Sequence, residues 1–374
     1  MSRVLLITND FPPRQGGIQS FVYGMASRLP VDELVVYCST SPGADEFDAA
    51  HEFKVVRENT SILLPTRHAA RTAAGLAREH SCDTVLFGAA APLGLLAAGL
   101  KQRGDVAHAA ALTHGHETGW AMLPGGRTAL RRIARYTDVV TYLGEYTRDK
   151  LAPAIGDLTR LERLTFGVDT DRFSPEVDGK PIRKRYGLGD RPVVGCVSRL
   201  VPRKGQDMLI RTLPRLRQAV PEATLLLVGG GPYESSLRRL AQRCGVAEHV
   251  VITGAADSEE LPAHFAAADV FAMPCRTRRR GLDVEGLGVV YLEAAATGLP
   301  VVVGDSGGAP DTVRDGETGY VVDGRDVDDI TARLVELLQD PAKREAFGDA
   351  GREWMYKEWS WPVQTRRLAS FLDA

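Results

Sequence analysis

Short aliphatic runs alternate with runs of helical period along the whole chain, and the alternation occurs in two series. The first places strand-like segments at residues 3–9, 33–38, 84–87, 109–113, 138–143 and 161–165, with helix-like segments at 18–29 and near 67–79, 91–103 and 127–136. The second places strands at 193–198, 224–228, 250–253, 270–273 and 301–303, with helices at 206–218, 234–244, 259–268, 289–296 and 330–338. Apolar strands joined through helices make a parallel sheet covered on both faces. The chain therefore reads as α/β, with two doubly wound domains facing each other across a cleft. A length of 374 residues agrees, being too long for one ordinary core. The polar stretch 168–191, with Pro175 and Pro181, reads as the linker. The tail from Lys343 reads as helices interrupted at WSWP, Trp359 to Pro362, where proline breaks or kinks the run. The expected division is residues 1–170 plus 359–374 against 171–358, the last helix crossing back onto the first domain.

Composition excludes several classes. Hydrophobic content of 44% and charged content of 25% are those of a soluble globular protein, and a net charge of -2 gives no support for bulk nucleic-acid binding. Cys38, Cys82, Cys196, Cys244 and Cys275 form no CxxC pair, which fits buried thiols in a reducing cytoplasm and argues against zinc. The opening MSRVLLITNDFPPR is apolar only from Val4 to Ile7, too short for a secretory signal. No apolar run reaches the roughly 18 residues that a membrane span needs. Arg127, Arg131, Arg132 and Arg135 are interleaved with Leu130 and Ile133. Such a stripe is either a solvated helix face or a basic amphipathic helix on an anionic membrane.

Four stretches carry chemistry. GLDVEGLGVVYLEAAATGLP, residues 281–300, reads as a glycine turn feeding a helix start, with Glu285 at its mouth and Glu293 over a turn further on. Unpaired N–H groups at such a start hold a hydroxyl or phosphate oxygen without a cation. SRLVPRKGQD sets Arg199 and Lys204 directly after a strand, as neutralising a departing diphosphate requires. NDFPPRQGGIQS follows the first strand, where Gly16 and Gly17 form either a phosphate site or a plain tight turn. His114, in LTHGHETGW, falls at a strand's carboxyl end, where ligands of such folds bind.

Together with VGGGP at Val228 to Pro232, Gly254 in VITG and GVD at Gly167 to Asp169, these residues resemble the retaining glycosyltransferases of the GT-B fold, in the family usually numbered four. The resemblance covers essentially the whole chain and implies two Rossmann-like domains. More narrowly, NDFPPRQGGIQS, FGAAAPL, THGHETGW, SRLVPRKGQD and GLDVEGLGVVYLEA are similar to members that move mannose from GDP-mannose to a phosphatidylinositol mannoside. Carried over, the resemblance puts Arg199 and Lys204 on the diphosphate, Glu293 on the ribose, and Glu285 with the amides of Gly286, Leu287 and Gly288 on the donor sugar. Gly254 flanks the base, Gly16 and Gly17 admit the diphosphate, and Asn9, Asp10, Gln19 and His114 face the acceptor. Two departures stand out. Arg279 and Arg280 occupy positions expected to be glycine, and Phe166 replaces a frequent asparagine.

No carboxylate is identified as a covalent nucleophile, and no DxD motif lies near the diphosphate residues. The expectation is front-face transfer without metal or cofactor, in a cytoplasmic protein peripheral to the membrane. Two alternatives remain: another retaining transferase using a UDP- or GDP-sugar on a soluble acceptor, and a nucleotide-sugar-binding protein without turnover.

Overall fold

The computed structural model describes residues 3–281 and 283–372, the side chain of Arg280 excepted. Two compact units emerge, Met1–Gly167 with Trp361–Ala374, and Val168–Ser360. The strands of the first are β1 (Val4–Thr8), β2 (Leu34–Ser39), β3 (Lys54–Glu58), β4 (Thr84–Phe87), β5 (His108–Ala111), β6 (Val139–Tyr142) and β7 (Arg160–Arg163). Among the described residues they form one seven-stranded sheet in the order β3-β2-β1-β4-β5-β6-β7. The second unit contains β8 (Val193–Val197), β9 (Thr224–Val228), β10 (Val250–Ile252), β11 (Val270–Met273), β12 (Val301–Gly304) and β13 (Gly319–Val322). These make a six-stranded sheet, β10-β9-β8-β11-β12-β13. Every pairing within both sheets is parallel.

Strands covered on both faces show no polar alternation, and β1, β8 and β9 are buried along their whole length. In the second sheet Val194 of β8 pairs with Leu225 on one side and Val270 on the other, and all three are fully buried. Each such side chain contributes about 1.5–3 kcal/mol on leaving water, which is what fixes the register. The strands that periodicity missed are the edges β3 and β13. KVVRE is half-exposed and charged at both ends, and GYVV is short, as edge strands tend to be.

The stretch 168–191 is not a linker. Its Phe173, Ile182 and Leu188 are buried, its Lys180–Arg185 segment is helical, and Arg183 pairs with Asp269 at 2.9 Å. A polar composition concealed these apolar anchors, and the segment belongs to the second unit's core.

The tail changes direction at Ser360, which is extended, between a π-helical turn over Met355–Trp359 and the final helix Trp361–Leu372. Pro362 does not kink that helix. It stands in the first turn, where its missing N–H costs nothing. The final helix completes the first unit's core. Leu368 and Leu372 join the cluster containing Val4, Leu6 and Phe21, and the Gln364 carboxamide accepts the Thr165 N–H. Trp361 fills a slot floored by Gly24 and Gly167, where any Cβ would collide with its indole, and the Arg28 guanidinium lies 4.4 Å over the ring.

Candidate active site

In a doubly wound sheet, the loops at the point where strand order reverses diverge and open a crevice. In the second unit that point lies between β8 and β11, and both expected clusters leave from it. The β8 loop carries Arg199, exposed and without a side-chain partner among the described residues. It ends at Gly205, which is left-handed (φ 81°) and packed so tightly beneath the Pro274 carbonyl that a Cβ would collide. That turn directs Lys204 inward. Its ammonium lies 2.7 Å from Glu285 Oε2, the two side chains being 12% and 7% exposed. The same oxygen has no aligned hydrogen-bond donor among the described residues. Coulomb attraction tolerates an angle that a hydrogen bond does not, so the ion contact and the unmet acceptor coexist. Arg203 stands 3.8 Å from that oxygen and 3.7 Å from Asp283, whose other oxygen is 3.5 Å from Arg278.

The turn after Glu285 is held from beneath by Gly307 and Gly308, where a Cβ would strike the Glu285 or Gly286 carbonyl. Gly288, left-handed at φ 90°, starts the Val289–Ala296 helix, and Tyr291 ties that helix to the sheet by donating to the Met273 carbonyl at 2.7 Å. The N–H groups of Gly286, Leu287, Gly288, Val289 and Val290 have no acceptor among the described residues. They form a ready anion and hydroxyl site at the positive end of a helix dipole. Glu293 points from the same helix with no side-chain hydrogen bond among the described residues. Burial pushes its carboxyl up to about 7, with Arg172 drawing it back down. Part of its surface is nevertheless accessible, so a ligand can reach it.

VGGGP packs against the β8 loop: a Cβ on Gly229 or Gly231 would meet the Ser198 or Leu200 carbonyl. Gly254 accepts the Gly229 N–H at 2.8 Å and is left-handed (φ 77°), with open space where its Cβ would be.

In the first unit the reversal lies between β1 and β4. Gly16 caps the Gly17–Ala26 helix, and the Gln19 side chain occupies the space that a Cβ on Gly16 would need. Gln19 donates to Asp10 at 2.7 Å. Burial raises the Asp10 carboxyl, with His116 and Arg14 opposing. The Asn9 amide holds the backbone of Leu63 with both ends, at 2.8 and 2.6 Å, and so secures a loop.

His114 donates from Nε2 to the Gly88 carbonyl at 2.5 Å, and since a carbonyl only accepts, the proton sits there. Nδ1 is then a buried acceptor without a donor among the described residues. Burial drives this imidazole down to about 4, the Gly88 bond working against that and His116 adding to it. At neutral pH the ring is uncharged and Nδ1 can act only as an acceptor.

Residues 178–354 match the family model described as glycosyl transferases group 1. Over 375 residues, 99% of this chain and 98% of the relative, the chain is 56% identical to the GDP-mannose-dependent alpha-(1-6)-phosphatidylinositol monomannoside mannosyltransferase of Mycolicibacterium smegmatis. The chain belongs to the group 1 glycosyltransferase family. The Mycobacterium tuberculosis relative of the same name is 52% identical over 379 residues, covering 100% of this chain and 98% of its own. A Corynebacterium glutamicum relative, named for a monoacylated form of that acceptor, is 47% identical over 377 residues, with 100% and 98% covered. The Anabaena protein HepE, solved in complex with UDP, superposes with a TM-score of 0.82 over 99% of both chains at 19% identity, and so shows the shared GT-B fold.

In this glycosyltransferase, Arg279 adopts φ 49°, a left-handed backbone that costs a non-glycine residue about 1–2 kcal/mol. That is the physical reason to expect glycine there. The side chain of Arg280 lies outside the described residues. Arg127, Arg131, Arg132 and Arg135 are exposed on the Pro124–Tyr136 helix, whose Leu130 and Ile133 are buried, and Arg127 donates to the Pro153 carbonyl at 2.5 Å. Sequence reasoning missed Arg203 and Asp283, which flank Glu285, and Glu117. The only available signal was their adjacency to the motifs.

Proposed function

We propose that this glycosyltransferase moves mannose from GDP-mannose to a phosphatidylinositol mannoside with retention at the anomeric carbon. The observation that carries the reading is full-length identity of 47–56% to three proteins so named. The unsatisfied polar groups at the second unit's reversal point support it. In this reading the N–H groups of Gly286, Leu287 and Gly288 and the Glu285 carboxylate take donor-sugar hydroxyls, and Glu293 takes the ribose. Gly254 lies beside the base, and Gly16 and Gly17 admit the diphosphate. Lys204 turns from Glu285 to the diphosphate, which Arg199 reaches from solvent. Asp10, Gln19 and His114 receive the acceptor. The acceptor oxygen attacks the anomeric carbon on the face that the phosphate leaves, and the departing phosphate oxygen takes the hydroxyl proton. The protein contributes placement and preorganised charge.

Transfer in this reading needs no metal. Activity that survives excess EDTA supports this, and its loss overturns it.

A lipid acceptor calls for a docking face. Among the described residues no helix is long and apolar enough to cross a membrane. The arginine helix follows Met122 and Leu123, which are 59% and 63% exposed, so apolar side chains precede a cationic stripe as at the surface of an anionic leaflet. Incubating the protein with GDP-mannose and a phosphatidylinositol mannoside should add one hexose to the lipid by mass. No such product, with nucleotide binding intact, refutes the acceptor. Unchanged vesicle binding after all four arginines become serine removes the docking face.

A further inference from the structure

Glu117 takes no part in that reading, yet it is the polar side chain of the first unit that is hardest to explain as structure. Its carboxyl is fully buried at the start of the Glu117–Met122 helix. Burying a carboxylate costs several kcal/mol unless partners compensate. Here compensation is partial. Oε2 accepts the His114 N–H at 2.9 Å, while Oε1 has the His116 imidazole 3.3 Å away but no aligned donor among the described residues. Asp10 lies near enough to oppose its ionisation further. A leucine would fill the same volume at no electrostatic cost.

What the carboxyl does hold is the segment carrying both histidines. The His114 and His116 rings lie nearly parallel, 16° apart with centroids separated by 6.2 Å. His114 is gripped from three sides: Gly88 on Nε2, Phe21 edge-on at 5.3 Å, and Glu117 through the backbone. His116 has a side chain 41% exposed, with the Glu117 carboxylate 3.3 Å from its Nε2 and the His114 ring nearly parallel to its own. We propose that Glu117 is a positioning residue of the acceptor half-site, Oε2 fixing the His114 backbone and Oε1 facing the His116 imidazole at 3.3 Å, so that both rings meet a polyhydroxyl acceptor in set orientation. This rests on the reading that the first unit receives the acceptor.

Three variants of the full chain test it: Glu117→Leu, Glu117→Gln and His116→Phe. A residue that only fills the core predicts Glu117→Leu as stable as the parent or more so, and fully active. Positioning predicts the same stability with kcat reduced about 10- to 100-fold, the scale of small misplacements, and with GDP-mannose KM within about twofold. Glu117→Gln, whose amide oxygen still accepts the His114 N–H, recovers much of that loss. His116→Phe raises acceptor KM more than it lowers kcat. Independently of turnover, ring nitrogen NMR should find His114 neutral with its proton on Nε2 from about pH 8 to about pH 5 in the parent, and should show shifted, broadened ring signals with a mixed tautomer in Glu117→Leu. Kinetics and His114 ring signals unchanged in Glu117→Leu overturn the proposal. If that variant does not fold, His114 signals in Glu117→Gln identical to the parent, with activity lost, do the same. A parent that transfers no mannose condemns the functional reading instead, and the NMR result still decides the clamp.

Discussion

Replacing Lys204 by methionine keeps the side chain's length and removes its charge, so it isolates the contact with Glu285. At 2.7 Å the gross attraction is about 6 kcal/mol at an effective dielectric of about 20. Lys204 and Glu285 are only 12% and 7% exposed, so the variant leaves a carboxylate that water cannot re-solvate. Breaking a buried pair on one side costs about 3–5 kcal/mol. Arg203, still 3.8 Å away, places this case at the lower end, about 3 kcal/mol. For a unit of the second one's size, Val168–Ser360, that lowers the melting temperature by roughly 6–12 °C. Adding Glu285→Gln removes the stranded charge and should restore stability to within about 1 kcal/mol of the parent, because losing both partners is far cheaper than losing one. Thermal and urea unfolding of the parent, the single and the double variant measure this. The deficit should persist in high salt, since a buried pair is little screened. Both variants lose transfer whatever their stability. A single variant that melts with the parent, or a double variant no more stable than the single, would refute the argument.

Three further outcomes follow from the same geometry. Glu293 accepts hydrogen bonds fully only when ionised, and its carboxyl titrates near 7, so GDP affinity measured by calorimetry should rise as pH increases through that value and become flat in Glu293→Gln. The imidazole of His114, lowered to about 4, makes the unfolded chain bind more protons than the folded one between the two values. Its contribution to stability is therefore intact above about pH 6.5 and declines on acidification towards 4 by at most about 1.4 kcal/mol per pH unit. His114→Phe should remove that part of the acid sensitivity in a series of urea titrations. Gly205→Ala meets both a left-handed backbone and the Pro274 carbonyl, so it should cost about 2 kcal/mol or more and reduce donor binding by displacing Lys204, as seen by thermal shift with GDP.

The legible part of this chain was whatever depends on a period or on glycine. Central strands such as TLLLV at β9 announce themselves because both faces are buried, and EGLG announces a helix start because few other residues turn there. What stayed hidden depends on pairing across long sequence distances. Nothing in SRLVPRKGQD says that Lys204 meets Glu285, nor does ITND say that Asn9 holds Leu63. Isolated anchors in a polar stretch were equally silent, as Phe173, Ile182 and Leu188 show. Glu117 is the extreme case, since a charged letter in a loop gives no hint that its side chain is sealed from water.

The Trp361 slot has a consequence for how the first unit closes. Leu368 and Leu372 complete the cluster around Val4 and Leu6, so one face of that sheet stays unroofed until a helix from beyond the second unit's sequence docks on it. The second unit is continuous in sequence and can fold as its own segment emerges, whereas the first must wait for the whole of the second to be made. That waiting groove is the chain's most exposed route to aggregation.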